Sequence, residues 1–413
     1  MNKADKRTSF YNTIPQFWPD LYGEAYALYD VYYLSDEQKR KLHEATARAG
    51  SIFFKTARLL RQLDEETLLA MSYPKEAIPF MRMSTSLPES VIARLDFVEH
   101  EGTFKVLELN ADTPTFIKEV YHVNGKVCAH FQAANVNEGE EEHLRKAVRL
   151  AIVQEKAECQ SDEPYIVFTA HEENIEDRFT SMYLQELYGE FSRFVPLEKL
   201  QIAKGQGLFD EYGRRIDILY RQTFPIEGLL LDRDEDGERI GLMLLELAMR
   251  NKVRLINPPS AFLLQNKAVQ AVIWGLYEEK HPFFTEEEQR WIQAYFLPTY
   301  LEDDVFVEKE LPYVKKPTFG REGDTVEIYN NKGEKTMEDT HKSYEDYGFV
   351  YQQYVDLPII ETDINGERKK MHQMYGSFLL NGRPSSIGCR VGGQITNNLS
   401  CYLPLGMKQN EIV

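Results

Sequence analysis

Two carboxylates and an amide recur at strand spacing between Ile92 and Asn110. Ile92-Ala93-Arg94-Leu95-Asp96-Phe97-Val98 and Phe104-Lys105-Val106-Leu107-Glu108-Leu109-Asn110 both alternate apolar and polar side chains, the period of a strand. A three-residue loop, His100-Glu101-Gly102, joins them with Gly102 at the left-handed position of a bulged turn. That register sets Arg94 opposite Glu108 and Ile92 opposite Asn110, with Asp96 diagonal to Glu108, all on one face. Leu95, Phe97, Leu107 and Leu109 take the other face. Asp96, Glu108 and Asn110 then offer the hard oxygens that Mg2+ prefers, and Arg94 can grip a phosphate oxygen bidentately. The same alternation also describes a solvated strand face with an Arg94–Glu108 ion pair.

A second candidate is Val314-Lys315-Lys316-Pro317-Thr318-Phe319-Gly320-Arg321-Glu322-Gly323, followed by the strand-like Thr325–Tyr329. Glycines between strands let backbone amides approach an anion, and Lys316 entering the loop supplies a point charge for phosphate. The G-K-[ST] of a P-loop is missing and no helix follows, so a phosphate loop of another kind or a plain hairpin turn are the two readings. Lys267 opens a helix after Pro258-Pro259, where it reaches a phosphate or lies along the helix face. Arg390 sits on a strand running into Gly392-Gly393.

These residues need elements to carry them. Leu42, Ala45, Ala49, Phe53, Ala57 and Leu60 recur at three- and four-residue steps behind Ser35-x-x-Gln38, which predicts an amphipathic helix over about 35–63 with a capping box. A helical, acidic stretch follows at Glu138–Lys156. Strands at 164–169, 217–220 and 253–257 alternate with helices at Ile175–Tyr188 and Leu242–Met249, the pattern of an α/β unit. From Leu311 short strands are punctuated by Asn330-Asn331-Lys332-Gly333, Asn365-Gly366 and Asn381-Gly382, which predicts an antiparallel sheet.

Composition narrows the function classes. The 413 residues include 48 Lys and Arg against 66 Asp and Glu, a formal net charge of −18 that repels nucleic acid and anionic lipid. No signal-peptide h-region and no apolar run of membrane-spanning length occurs, so the expected location is cytoplasmic. Cys128, Cys159, Cys389 and Cys401 lack C-x-x-C spacing and are expected as reduced, buried thiols.

Taken together, Arg94-x-Asp96, Glu108-Leu109-Asn110-Ala111-Asp112-Thr113-Pro114-Thr115, Asn266-Lys267-Ala268, Lys316-Pro317 with Gly320-Arg321-Glu322-Gly323, Tyr351-Gln352-Gln353 and Arg390 resemble the synthetase part of the glutathionylspermidine synthase family. The resemblance implies an α/β (α+β) chain with an ATP-grasp fold, an antiparallel C-terminal sheet and an α/β subdomain. It implies one unit over 1–413, with a helical N-terminal part (1–90), a metal-ligand hairpin with helices (91–160), the α/β subdomain (161–260) and the nucleotide-binding part (261–413). By the same resemblance Asp96, Glu108 and Asn110 hold Mg2+. Lys267, Lys316, Gly320, Arg321 and Gly323 hold ATP, the Gln353-Tyr354-Val355 edge takes adenine, and Arg94 and Arg390 steady the transferred phosphate. The chain has no room before Arg94 for the amidase domain of the bifunctional relatives, and Asp112–Thr115 looks like the standalone members. Arg221-Gln222-Thr223-Phe224-Pro225-Ile226-Glu227 replaces a more aromatic stretch. The expected activity is an ATP-dependent ligase joining a small acid and an amine through an acyl phosphate, a peptide thiol and a polyamine being the family's pair. A phosphotransferase of the same fold and a non-catalytic nucleotide-binding module are the alternatives.

Overall fold

The hairpin that carries the candidate metal ligands is built into the largest sheet of the protein. In the computed structural model, which describes residues 2–221 and 225–408, Ile92–His100 pairs with Thr103–Asn110 on one side and with Glu367–Leu380 on the other. Glu367–Leu380 continues to Arg383–Gly392 and then to Cys401–Leu403, with Ile359–Ile364 also paired to Glu367–Leu380. All these pairings are antiparallel.

The register differs from the expectation. The turn has two residues, Glu101 and Gly102, both at positive φ (50° and 75°), so His100 pairs with Thr103. Two left-handed residues twist a hairpin in the same sense as its strands, which a three-residue loop does less well. The register shifts again between Asp96 and Phe97: Phe97 pairs with Val106, Asp96 with Glu108 and Arg94 with Asn110, leaving Leu107 as an unpaired bulge. Leu107 therefore packs with Val98, Val355 and Leu357 rather than on the face of Leu95, Phe97 and Leu109. The bulge returns Leu109 to the core while keeping Glu108 and Asn110 beside Asp96, the re-aiming that such bulges allow.

That core lies under the long helix Asp36–Leu60, capped reciprocally by Ser35 and Gln38 and ending three residues before the expected limit. Leu42, Ala49, Ile52 and Phe53 pack against the apolar face of the hairpin, each large side chain contributing about 1.5–3 kcal/mol by leaving water. Thr46 Oγ1 and Ser377 Oγ, 2.7 Å apart, tie the helix to the sheet. The other face of the hairpin is covered too, which is why Ile92 to Val98 are all buried.

The α/β unit is a four-stranded parallel sheet ordered Arg254–Ile256, Ile218–Arg221, Ile166–Thr169, Arg193–Phe194. Helix Ile175–Tyr188 falls where it was expected, and Ile240–Met249 begins two residues before the expected Leu242. A separate five-stranded antiparallel sheet, ordered Thr299–Tyr300, Phe349–Gln353, Tyr313–Pro317, Glu327–Tyr329, Lys335–Glu338, carries Lys316 and the glycine loop. Within 221–227, Gln222–Phe224 lie outside the described residues; Arg221 pairs with the Asp112 carboxylate, which also accepts from the Ile226 amide at 3.1 Å. Cys128, Cys389 and Cys401 are buried thiols as expected, whereas Cys159 is only half-buried. No described helix is long and apolar enough to cross a membrane.

Candidate active site

A cleft runs between the two antiparallel sheets. Its floor is the polar face of Ile92–Asn110 and its roof is the Gly320–Gly323 loop. Of the residues singled out from sequence, Arg94, Asp96, Glu108, Asn110, Lys267, Lys316, Gly320, Arg321, Gly323, Gln353, Val355 and Arg390 all line it. Tyr354 does not; its hydroxyl donates to Asp356 Oδ1 at 2.6 Å. Strand alternation explains this, since Gln353 and Val355 face one way and Tyr354 the other. The Val355 carbonyl accepts from Gln394 Nε2 at 2.9 Å.

On the floor, Arg94 grips Asp96 through two bonds, Nε to Oδ1 at 2.6 Å and Nη2 to Oδ2 at 2.9 Å. Nη1 donates to the Thr115 carbonyl at 3.0 Å. Arg94 and Asp96 are 5% and 2% exposed, so the pair is fixed in the protein interior. The strand partner opposite Asp96 is Gly376. A Cβ there would meet Arg94 Cδ at 3.0 Å, so the arginine lies where only glycine leaves room.

The carboxylates converge on one amide. Asn110 Nδ2 stands 3.4 Å from Asp96 Oδ2 and 3.3 Å from Glu108 Oε1. Turning that amide over would point its oxygen at the same place, giving three oxygens from three side chains around a common point. That donor set fits a small hard cation which keeps water in its remaining positions. Among the described residues no group of three or more His, Cys, Asp or Glu side chains is placed to hold a metal ion.

Cations surround this point. Lys267 Nζ is 3.3 Å from Glu108 Oε2 and donates to the Gly320 carbonyl at 2.9 Å. Lys316 Nζ donates to Gln352 Oε1 at 2.7 Å, and Gln352 is held by Gln270 and Thr299. Burial alone would raise Glu108, but Lys267, Lys316 and Arg94 hold its carboxyl down at about 2. Burial pushes the Lys316 ammonium down to about 8, against the pull of Glu108. Burial likewise pushes Asp96 above the ordinary carboxyl value in spite of Arg94.

At the far end of the cleft the lining changes to carboxyl and phenol groups. Glu176, in the first turn of Ile175–Tyr188, lines the wall with Tyr22 and Tyr26. Its carboxyl is pushed well up by burial, then by Glu119 and Asp177, with Arg390 opposing. The Tyr26 hydroxyl donates to Glu119 Oε1 at 2.6 Å. Sequence reasoning did not find this group, because Glu119 and Glu176 are 57 positions apart on unrelated elements and carry no local signal. Thr113 and Thr115, which meet Arg321 and Arg94, were visible only as part of a motif.

The profile of the glutathionylspermidine synthase preATP-grasp family matches residues 3–408. The chain belongs to that family. Among curated proteins, one from Haemophilus influenzae described as "Putative acid--amine ligase" is 32% identical over 158 residues, covering 37% of this chain and 35% of that relative. The matched region thus spans about a third of that relative's length. A solved structure, a glutathione synthetase-like effector of Globodera pallida in its apo form, superposes with a TM-score of 0.61 over 98% of this chain and 96% of that one, at 11% identity. The two share a fold, and family membership is consistent with the ATP-grasp arrangement of two sheets closing on one cleft.

Proposed function

We propose that the protein is an ATP-dependent acid–amine ligase that activates a carboxylate as an acyl phosphate and passes the acyl group to an amine. The observation that carries this reading is the convergence of Asp96, Glu108 and Asn110 with Arg94, Lys267, Lys316 and Arg390 beneath the glycine loop. Such a set matches a nucleotide triphosphate with its metal better than a single small anion, because it supplies hard oxygens and several cations to one short stretch of cleft. Asp96, Glu108 and Asn110 would hold Mg2+, whose charge offsets the repulsion between an anionic acid and an anionic phosphoryl group.

The chain's own side chains do the rest. Lys267 and Lys316 bind phosphate oxygens in place of their present partners, the Gly320 carbonyl and Gln352. Arg94, pinned by Asp96 and Thr115, lies on the floor, and Arg390 lines the same cleft from Arg383–Gly392, one strand beyond Glu367–Leu380. The roof loop excludes water, which would otherwise hydrolyse an activated acyl group before the amine arrives. Glu176, whose carboxyl burial pushes well up, lines the opposite end with Tyr22 and Tyr26 and offers hydrogen-bond partners to an approaching amine.

Melting the protein with Mg2+ and ATP together tests the binding step; a hundredfold excess over Kd adds about 2.7 kcal/mol of apparent stability. ADP release over panels of acids and amines, with product masses measured, then identifies the substrates. With the acid carboxylate labelled by 18O, one labelled oxygen should appear in phosphate. A stable phosphorylated metabolite without amide would point to phosphotransfer instead.

A further inference from the structure

Arg321 leaves the glycine loop and crosses to the opposite wall of the cleft. Its Nη2 donates to Thr113 Oγ1 at 2.8 Å, and its Nε lies 3.9 Å from Glu227 Oε1. Glu227 stands in the first turn of the short helix Ile226–Leu231, which belongs to the α/β unit rather than to either wall. It is 5% exposed. Its Oε2 has no hydrogen-bond partner among the described residues. A buried carboxylate with a bare oxygen is costly unless a cation stands beside it. Burial pushes the Glu227 carboxyl up and Asp112 adds to this, while Arg321 opposes it most strongly and Lys267 less.

The loop is held unevenly along its length. Near its root the Thr318 carbonyl accepts from the Lys267 amide at 2.8 Å and the Gly320 carbonyl accepts from Lys267 Nζ. Toward the tip, the amides of Asp324 and Val326 donate to Arg321 and Gly323 inside the loop, and 324–326 are tied to 339–344, the Thr325 amide donating to the His341 carbonyl at 3.0 Å and Asp324 Oδ1 accepting from the Ser343 amide at 3.0 Å. Gly323 packs closely against Ile395 and Thr396, where a Cβ would meet the Thr396 carbonyl at 2.6 Å and the Ile395 side chain at 2.7 Å. Across the cleft itself, the Arg321 side chain is the hydrogen-bonded tie from Gly320–Gly323 to Thr113.

We propose that Glu227 is a positioning residue: it holds the Arg321 guanidinium, and through it the tip of the glycine loop, over the mouth of the cleft. Its value to the reaction rests on the ligase reading above, in which the roof keeps water from an activated acyl group. The contact itself does not need that reading, and its test uses the nucleotide-free full chain.

Hydrogen exchange over 318–326 reads the tip directly. Glu227→Ala and Arg321→Ala should each speed exchange there about tenfold, leave 103–110 unchanged, and show no further increase when combined. Glu227→Asp, which restores the charge, should recover part of the protection. Should Glu227→Ala not fold, Glu227→Gln keeps the size, removes the charge and is compared with Arg321→Ala in the same cycle. Unchanged exchange in the Glu227 variants, or increases that multiply in the double variant, would overturn the proposal. A missing Mg-ATP melting shift beside a positive cycle would remove the ligase reading and leave the latch standing.

Discussion

The floor and the roof of the cleft are built on opposite principles. The floor strand Ile92–His100 has a strand on each side and the packed core beneath it, and its Arg94–Asp96 pair is buried with two bonds between the partners. The roof loop is held by shorter contacts: internal turns, bonds of 324–326 to 339–344, Gly323 against Ile395 and Thr396, and one arginine reaching across. Charges that must hold a metal and a phosphate gain from a site that cannot relax. A cover that must admit substrates needs contacts that can be exchanged.

The strongest way to break that contrast is to remove charge from the floor. Glu108→Gln should cut ADP formation by about a hundredfold or more with little change in melting, because Glu108 is half-buried and its partners retain other contacts. Asp96→Asn should lose comparable activity and, unlike Glu108→Gln, also cost about 3 kcal/mol by leaving Arg94 buried against a neutral partner. Turnover near wild type in both would return the hairpin to a structural ion pair. Paired glycine variants sharpen the contrast further. Gly376→Ala presses on an arginine pinned at both ends and should cost about 1–3 kcal/mol with a tenfold loss of rate. Gly323→Ala, at φ +70° with its new Cβ 2.6 Å from the Thr396 carbonyl, should slow turnover several-fold while moving the melting point by only about 2 °C.

A smaller effect is expected from pH. Burial lowers Lys316 to about 8, so its ammonium is present below that pH and lost above it. Phosphate in the site favours the charged form, so Mg-ATP binding should take up a proton above pH 8 and weaken several-fold between pH 7 and 9. Calorimetry in buffers of different ionisation enthalpy measures the uptake, and Lys316→Met should abolish it. The smallest effect belongs to Gly102→Ala. That turn has open space around it, so only its positive φ is strained, about 1 kcal/mol, and activity should not change.

Much of the scaffold was legible because it is written locally. The helix Asp36–Leu60 announces itself by a 3.6 period and a capping box, and Ile175–Tyr188 by the same period. Alternation gave the shared face of Arg94, Asp96, Glu108 and Asn110, yet not their register, because a two-residue turn and a bulge at Leu107 shift strands without altering the pattern. Lys267, Lys316 and Arg390 were each unremarkable alone, and their convergence came from motif resemblance rather than from spacing. Neither route reached Gly376 beneath Arg94, the Glu119–Glu176 end or the Glu227–Arg321 contact. Each depends on pairing residues far apart in the chain, for which no local signal exists.

The pairing of Ile92–His100 with Glu367–Leu380 also sets a timetable. The Asp96 position and its neighbour Gly376 are made at opposite ends of translation, so at ordinary elongation speeds the nascent hairpin waits roughly a quarter of a minute to a minute for its second neighbour. Throughout that wait the Arg94–Asp96 face is an open strand edge bearing a charged pair, features that discourage association with other chains. A ribosome that stops early therefore releases a protein without half an active site: the floor is closed only when the last sheet strands arrive, and a truncated product has no competent cleft to consume nucleotide.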